Sequence, residues 1–243
     1  MVEAGDGLQV RRLLVDCGFG IRQLATRLGA AGLGIDQIDA IFITHEHADH
    51  VGCAHTVAMR HRIPVFMSRG THVAIGAPDF DGLLQMAHDM VPIDLGTVCA
   101  VPFTVPHDAR EPLQLRCTDG ASHLGLLTDL GHASPHVLQQ LQGCHALLLE
   151  ANHDPDMLAA SGYPAFLKRR IAGVHGHLAN HDAAGILAAV RHTGLNRVVA
   201  AHLSAQNNQP RLAQQALAHS MGWPADAVDI ASATAGTDWI NVV

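Results

Sequence analysis

The sequence predicts an α/β (α+β) fold in which β-sheets share one functional edge. Three observations lead there. Short apolar, β-branched runs alternate with segments of helical spacing. Strand after strand ends on a His, Asp or Glu. Seven residues, Thr44-His45-Glu46-His47-Ala48-Asp49-His50, place four possible metal ligands directly after one such run. A packed sheet core with its loops gathered at one edge would bring strand-end residues into a single site.

The elements follow in order. Residues 10–16 form a strand (Leu13, Leu14, Val15) stopped by Cys17-Gly18, and 21–28 have helical spacing. Residues 38–44 form the strand leading into the histidine cluster; 51–62 are expected as one helix and 63–67 as a strand. Residues 98–105, apolar and rich in β-branched side chains, are expected as a strand ending at Pro106-His107. Strands 113–117 and 123–129 flank Thr118-Asp119-Gly120, whose Asp-Gly marks a hairpin turn. Helix 135–141, strand 146–149 ending at Glu150, and helices 155–171 and 182–192 come next. Strand 197–201 ends at His202, 210–220 is helical, and 227–230 and 238–242 are expected to close the sheets. No repeat or Pro/Ser-rich linker divides the chain, so residues 1–243 are read as one domain.

Composition narrows the class. With 243 residues, 48% hydrophobic and 15% charged, the chain can bury a substantial core and is not of the disordered type. No apolar stretch approaches the ~20 residues that span a bilayer, so no membrane partner is expected. Residues 1–7 lack the basic head and apolar run of a secretory signal. Cys17, Cys53, Cys99, Cys117 and Cys144 are widely spaced without a C-x-x-C pair, which suits reduced thiols in a cytoplasmic protein. The net charge of −7, from 15 basic and 22 acidic side chains, argues against non-specific nucleic-acid binding over the whole surface. A local groove, or metal ions that bind phosphate, remain open to such a chain.

Alternate residues of an extended chain point the same way, so His45 and His47 can converge on one ion. Asp49 and His50 follow the next turn and can face a second. Imidazole with carboxylate suits zinc first, then manganese or iron. The competing reading, a His-rich surface turn, fits poorly with a core strand before the cluster and an apolar segment after it.

The run resembles the H-x-H-x-D-H signature of the metallo-β-lactamase-fold hydrolases. That resemblance implies an αββα sandwich of two mixed β-sheets flanked by helices. Three later strand ends complete the ligand set that it implies: His107 in Val105-Pro106-His107-Asp108-Ala109, Asp129 in Leu127-Thr128-Asp129-Leu130-Gly131, and His202 in Val199-Ala200-Ala201-His202-Leu203-Ser204. Each taken alone also reads as a capping acid or a solvated strand end. Together they imply two metal ions, with His45, His47 and His107 on one, Asp49, His50 and His202 on the other, and Asp129 bridging.

The likeness extends to Leu14-Val15-Asp16-Cys17-Gly18, Glu150-Ala151-Asn152-His153-Asp154, Gly176-His177-Leu178-Ala179-Asn180 and Gln206-Asn207-Asn208-Gln209-Pro210. These fall in the order of the YycJ/WalJ group, described as 5′→3′ exonucleases acting on double-stranded DNA. Residues 10–212 carry the resemblance. Two departures stand out. The opening S-x-G-S-x-G-N segment of the group is absent, so the chain is expected to start at the second strand, with the first missing and an edge left unpaired. The group's G-H-L-S-N has Ala179 in place of its serine.

The group also resembles ribonuclease Z, where a strand-end Glu and a following His assist the leaving group. Glu150 and His177 occupy comparable places, with His175 a competitor. The structural alternatives are a capping acid ahead of Pro155 for Glu150 and an N-terminal helix residue for His177. Lys168, Arg169 and Arg170 form the dense basic run, read either as contacts to a nucleic-acid backbone or as a solvated helix end.

The expected chemistry is attack on a phosphodiester by a hydroxide held between two metal ions, oriented by Asp49, with His177 and Glu150 serving the departing oxygen. Other readings are a small-molecule (cyclic) phosphodiesterase, RNA processing, a thiolesterase or lactonase on the same fold, or a non-catalytic metal-binding regulator.

Overall fold

In the computed structural model, which describes residues 1–243, the chain is α/β, with two mixed β-sheets and helices. Its contacts group into two units, Met1–Thr104 with Ala109–Ala121, and Val105–Asp108 with Ser122–Val243.

The first unit contains strands β1 (Val2–Gly5) and β2 (Val10–Val15), helix α1 (Ile21–Ala30), β3 (Ala40–Phe42), α2 (Ala48–Val51), α3 (Ala54–His61) and β4 (Val65–Met67). It continues through α4 (Arg69–Ala74), β5 (Leu84–Met86), β6 (Ile93–Asp94), β7 (Cys99–Thr104) and β8 (Leu113–Thr118). The order β1-β2-β3-β4-β5 makes a sheet that is parallel except for β1. Strands β6, β7 and β8 are antiparallel neighbours. All three residues of β3 are fully buried, as a central parallel strand covered on both faces requires. Ile41 and Ile43 pack with Leu24 and Leu28 of α1 and with Ala54, Val57 and Ala58 of α3. This core holds rigid the strand end that carries the histidine cluster.

The expectation that the chain starts at the second strand is corrected here. Val2–Gly5 is a strand, antiparallel to β2 with Val2 opposite Leu13, so that edge of β2 is paired. A turn makes the hairpin, in which the Asp6 carboxylate accepts the backbone N–H of Leu8 and Gln9 at 2.9 Å each. The single helix expected over 51–62 is two, α2 and α3. They part at Gly52, whose φ of 38° is left-handed.

The second unit contains β9 (His123–Leu127), α5 (Pro135–Leu141), β10 (Ala146–Glu150), α6 (Pro155–Ala160), α7 (Ala165–Ile171), α8 (Asn180–Val190), β11 (Arg197–Ala201), α9 (Pro210–Met221) and β12 (Asp229–Ile230). The four strands run parallel in the order β9-β10-β11-β12. The helix expected over 155–171 breaks ahead of Pro164, which disfavours a helical residue before it. Residues 238–242, expected as a strand, form none. In the parallel register Leu149 pairs with Leu127, and Glu150 with Ala201. The ends of β9, β10 and β11 therefore arrive at one edge, bearing Asp129, Glu150 and His202. No helix is long and apolar enough to cross a membrane.

Candidate functional site

In the first unit the chain leaves β3 through Thr44 and His45, both buried, and His47 precedes α2. His45 Nε2 and His47 Nδ1 face each other at 2.9 Å. Two imidazole nitrogens so close are either hydrogen-bonded or aimed at a common cation. The His50 ring lies 4.0 Å from that of His45, centroid to centroid. Asp49 is exposed, with Oδ2 3.8 Å from His50 Nε2.

Asp16, at the end of β2, organises this cluster. Its carboxylate accepts Thr44 N–H at 2.8 Å and the Thr44 hydroxyl at 2.9 Å, and it lies 2.7 Å from His50 Nδ1. With Nδ1 engaged by the carboxylate, Nε2 is the His50 nitrogen left to ligate. The motif around Asp16 was legible in the sequence, but its orienting role was not. Two glycines hold the loop. A Cβ on Gly18 would overlap the carbonyl of Asp49, and one on Gly52 would overlap Cys17 and Gly18. Only chains without side chains fit there.

In the second unit, Glu150 is fully buried at the end of β10. Its Oε1 lies 2.8 Å from His177 Nδ1 and 2.8 Å from His202 Nδ1. Its Oε2 accepts the backbone N–H of Leu130 and Leu178. Burial by itself would raise the Glu150 pKa. The hydrogen bonds from His177 and His202, with the charge of both rings, outweigh it and hold the carboxyl at about 2. Glu150 is therefore a carboxylate that fixes two imidazoles, and it does not donate protons. Helix α6 is capped instead by Asp154, which accepts Met157 N–H at 2.9 Å, so the capping alternative for Glu150 is set aside.

Asp129 Oδ1 stands 3.5 Å from His202 Nε2 and 3.8 Å from His177 Nδ1. The donor atoms of Asp129, Glu150, His177 and His202 all lie within 4.8 Å of one another. His107 is buried, with Nδ1 3.2 Å from the Gly176 carbonyl oxygen and its ring 5.4 Å from that of His177. His177 precedes α8 by three positions, so it is not a residue of that helix, and it reaches Glu150. His175 is exposed and contributes its carbonyl to Asp108 N–H.

Imidazole nitrogens and carboxylate oxygens are the donors in both units, a set that suits divalent metal ions. Asp16, Asp129 and His202 share a further property. Each follows a strand with left-handed backbone, at φ 58°, 54° and 56°. Asp and His are the side chains, after Asn, that tolerate this region best, and such backbone clusters at functional sites.

The basic run is mostly committed to the protein itself. Lys168 Nζ donates to the Ala159 carbonyl, and Arg170 Nε pairs with Asp108 Oδ2, each at 2.6 Å. Arg169 is exposed.

Residues 11–203 match the family model described as a beta-lactamase superfamily domain. The chain belongs to this superfamily. Within the superfamily it falls in the YycJ/WalJ group. It is 31% identical over 216 residues to exodeoxyribonuclease YycJ of Bacillus anthracis, covering 87% of this chain and 81% of that one. It is 27% identical over 216 residues to exodeoxyribonuclease WalJ of Streptococcus pneumoniae, covering 87% and 80%. Among solved structures, the metallo-beta-lactamase fold protein YhfI from Bacillus subtilis superposes with a TM-score of 0.71 at 16% identity, over 97% of this chain and 88% of that one. The expected fold class is thus the one adopted.

Proposed function

We propose that this chain is a metal-dependent phosphodiester hydrolase that degrades double-stranded DNA as a 5′→3′ exonuclease, with residues 1–243 acting as one cytoplasmic catalytic domain. The observation that carries this reading is the buried Glu150 carboxylate, which fixes His177 and His202 beside Asp129 at one sheet edge. The likeness to relatives named as exodeoxyribonucleases supports the substrate.

His45, His47 and His107 are assigned to one cation, Asp49, His50 and His202 to a second, and Asp129 to both. When bound, a divalent pair acidifies a water molecule and neutralises charge on the phosphoryl oxygens. Zinc fits the imidazole-rich donors first, ahead of manganese and iron. The residues of the chain do the rest. Asp16 and Glu150 hold Nδ1 of His50 and His202, which leaves Nε2 of each as the ligating atom. Asp49, exposed beside His50, orients the attacking water. His177, held at Nδ1 by Glu150, presents Nε2 to the departing oxygen as its proton donor.

One observation favours a second reading, a small or cyclic phosphodiester as substrate. Lys168 and Arg170 are tied to the protein, and the net charge is −7. One panel separates the two: metal-loaded protein tested on 5′-labelled duplex DNA, single-stranded RNA and bis(p-nitrophenyl) phosphate. Progressive nucleotide release from duplex 5′ ends is expected. Cleavage of the small diester alone would hand the site to the second reading, and no cleavage of any phosphodiester would remove both.

A further inference from the structure

Helix α7 begins after Tyr163-Pro164 and leaves the ring of Phe166 66% exposed. A phenylalanine left in water forgoes the stabilisation that burial would give it, and its ring is free to stack on a ligand. On a helix, positions i+3 and i+4 share the face of position i. For Phe166 these are Arg169 and Arg170. They belong to the only run of three consecutive Lys or Arg residues in a chain of net charge −7.

The place of this face is fixed by three contacts within the second unit. Arg170 pairs with Asp108, the neighbour of His107. The N–H of His177 donates to the Ile171 carbonyl at 2.8 Å. Gly176 lies so close to the end of α7 that a Cβ there would overlap the carbonyl oxygens of Arg170 and Ile171. The helix end is thereby fastened both to the His107 loop and to the turn carrying His177. Phe166 stands about one helical turn, ~6 Å along the axis, before the residue that makes the first of these contacts.

An aromatic face beside an exposed guanidinium matches one occupant chemically, a nucleotide whose base stacks and whose phosphate is paired. We propose that Phe166 is a stacking platform for a base at the end of the nucleic-acid substrate, with Arg169 holding the adjacent phosphate. The inference rests on the nuclease reading above and deepens it. It makes Phe166 a residue for holding the strand in place without regard to sequence, because every base offers a flat π-face. Arg170, committed to Asp108, keeps the platform in register with the site.

The test compares wild type with Phe166→Ala, Phe166→Leu, Phe166→Trp and Arg169→Ala, each first shown by circular dichroism and thermal melting to be folded. KM and kcat are measured on 5′-labelled duplex DNA, and quenching is measured on duplexes with 2-aminopurine at the terminal position. Phe166→Ala and Phe166→Leu are expected to raise KM about tenfold, the scale of one lost base–aromatic stack, while kcat changes little. Phe166→Trp is expected to keep both KM and the quenching, and Arg169→Ala to raise KM and flatten its salt dependence. If Phe166→Leu behaves as wild type, or Phe166→Ala leaves KM and quenching unaltered, the platform is overturned while the nuclease reading stands. If wild type neither binds nor degrades DNA, the nuclease reading fails and the platform with it.

Discussion

Two carboxylates that are assigned no metal, Asp16 and Glu150, decide how the imidazoles present themselves. Each takes a histidine Nδ1 and so selects Nε2 as the outward nitrogen. Glu150→Gln keeps the size of the side chain but removes the charge and one acceptor from a position that serves two rings. Metal affinity or activity should fall by about 10- to 100-fold, read by metal analysis of the purified protein and by kcat. Unchanged metal content and turnover would remove the orienting role. Asp129→Asn should abolish hydrolysis and lower metal content while far-UV circular dichroism stays native, because Asn keeps the size of this buried side chain and tolerates its left-handed backbone. The residues differ in how readable they were. His45, His47, Asp49 and His50 crowd six positions after a buried strand, so local pattern exposes them. Asp16 lies 28 residues from Thr44, its partner, and nothing local marks its carboxylate as an orienter. Glu150 and His177 were reached only through resemblance.

Elements were legible where the apolar runs were long or punctuated. Strands β2, β7, β10 and β11 and helices α1, α5, α8 and α9 lie within a few residues of expectation. β1 was missed because Val2-Glu3-Ala4-Gly5 holds a single β-branched residue, and its pairing comes from the Asp6 turn. The break in 155–171 was signalled by Gly162 and Pro164 but outweighed by the apolar spacing around them. Helix α8 is where the departure at Ala179 has its physical meaning. Ala179 occupies the N-cap with no side-chain hydrogen bond, so a serine there serves as a helix cap. Ala179→Ser should raise stability by about 1 kcal/mol in denaturant unfolding, with kcat unaffected. The Asn208 side chain, from the 206–210 segment, braces the same helix start at Asn180. It exchanges two hydrogen bonds with Asn180 and donates to the Ala151 carbonyl, all buried. Asn208→Ala should cost about 1–3 kcal/mol, since it strands the Asn180 amide without its partner.

At the scale of the whole chain, metal that binds the folded state and not the unfolded one stabilises by mass action. Free metal at about 100 times its dissociation constant contributes about 2.7 kcal/mol. Treating the purified protein with a chelator should therefore lower Tm by roughly 5–10 °C, and adding back zinc or manganese should restore it. A melt indifferent to chelator would argue against resident cations. The strand-end placement of the candidate ligands explains why such a change would be felt widely. The early cluster follows β3, while His107, Asp129 and His202 follow β7, β9 and β11, so loss of charge compensation is passed to several strands at once.

Gly18 and Gly52 add a consequence of another kind. Neither carries a group that can react, yet a side chain at Gly18 would collide with the backbone of Asp49, and one at Gly52 with the backbone of Cys17 and Gly18. A saturation screen scored on nuclease survival should therefore rank both positions as intolerant as the metal ligands. Sorting such a screen by chemistry would require a second axis, protein abundance, on which Asp129 variants stay high and Gly18 variants drop.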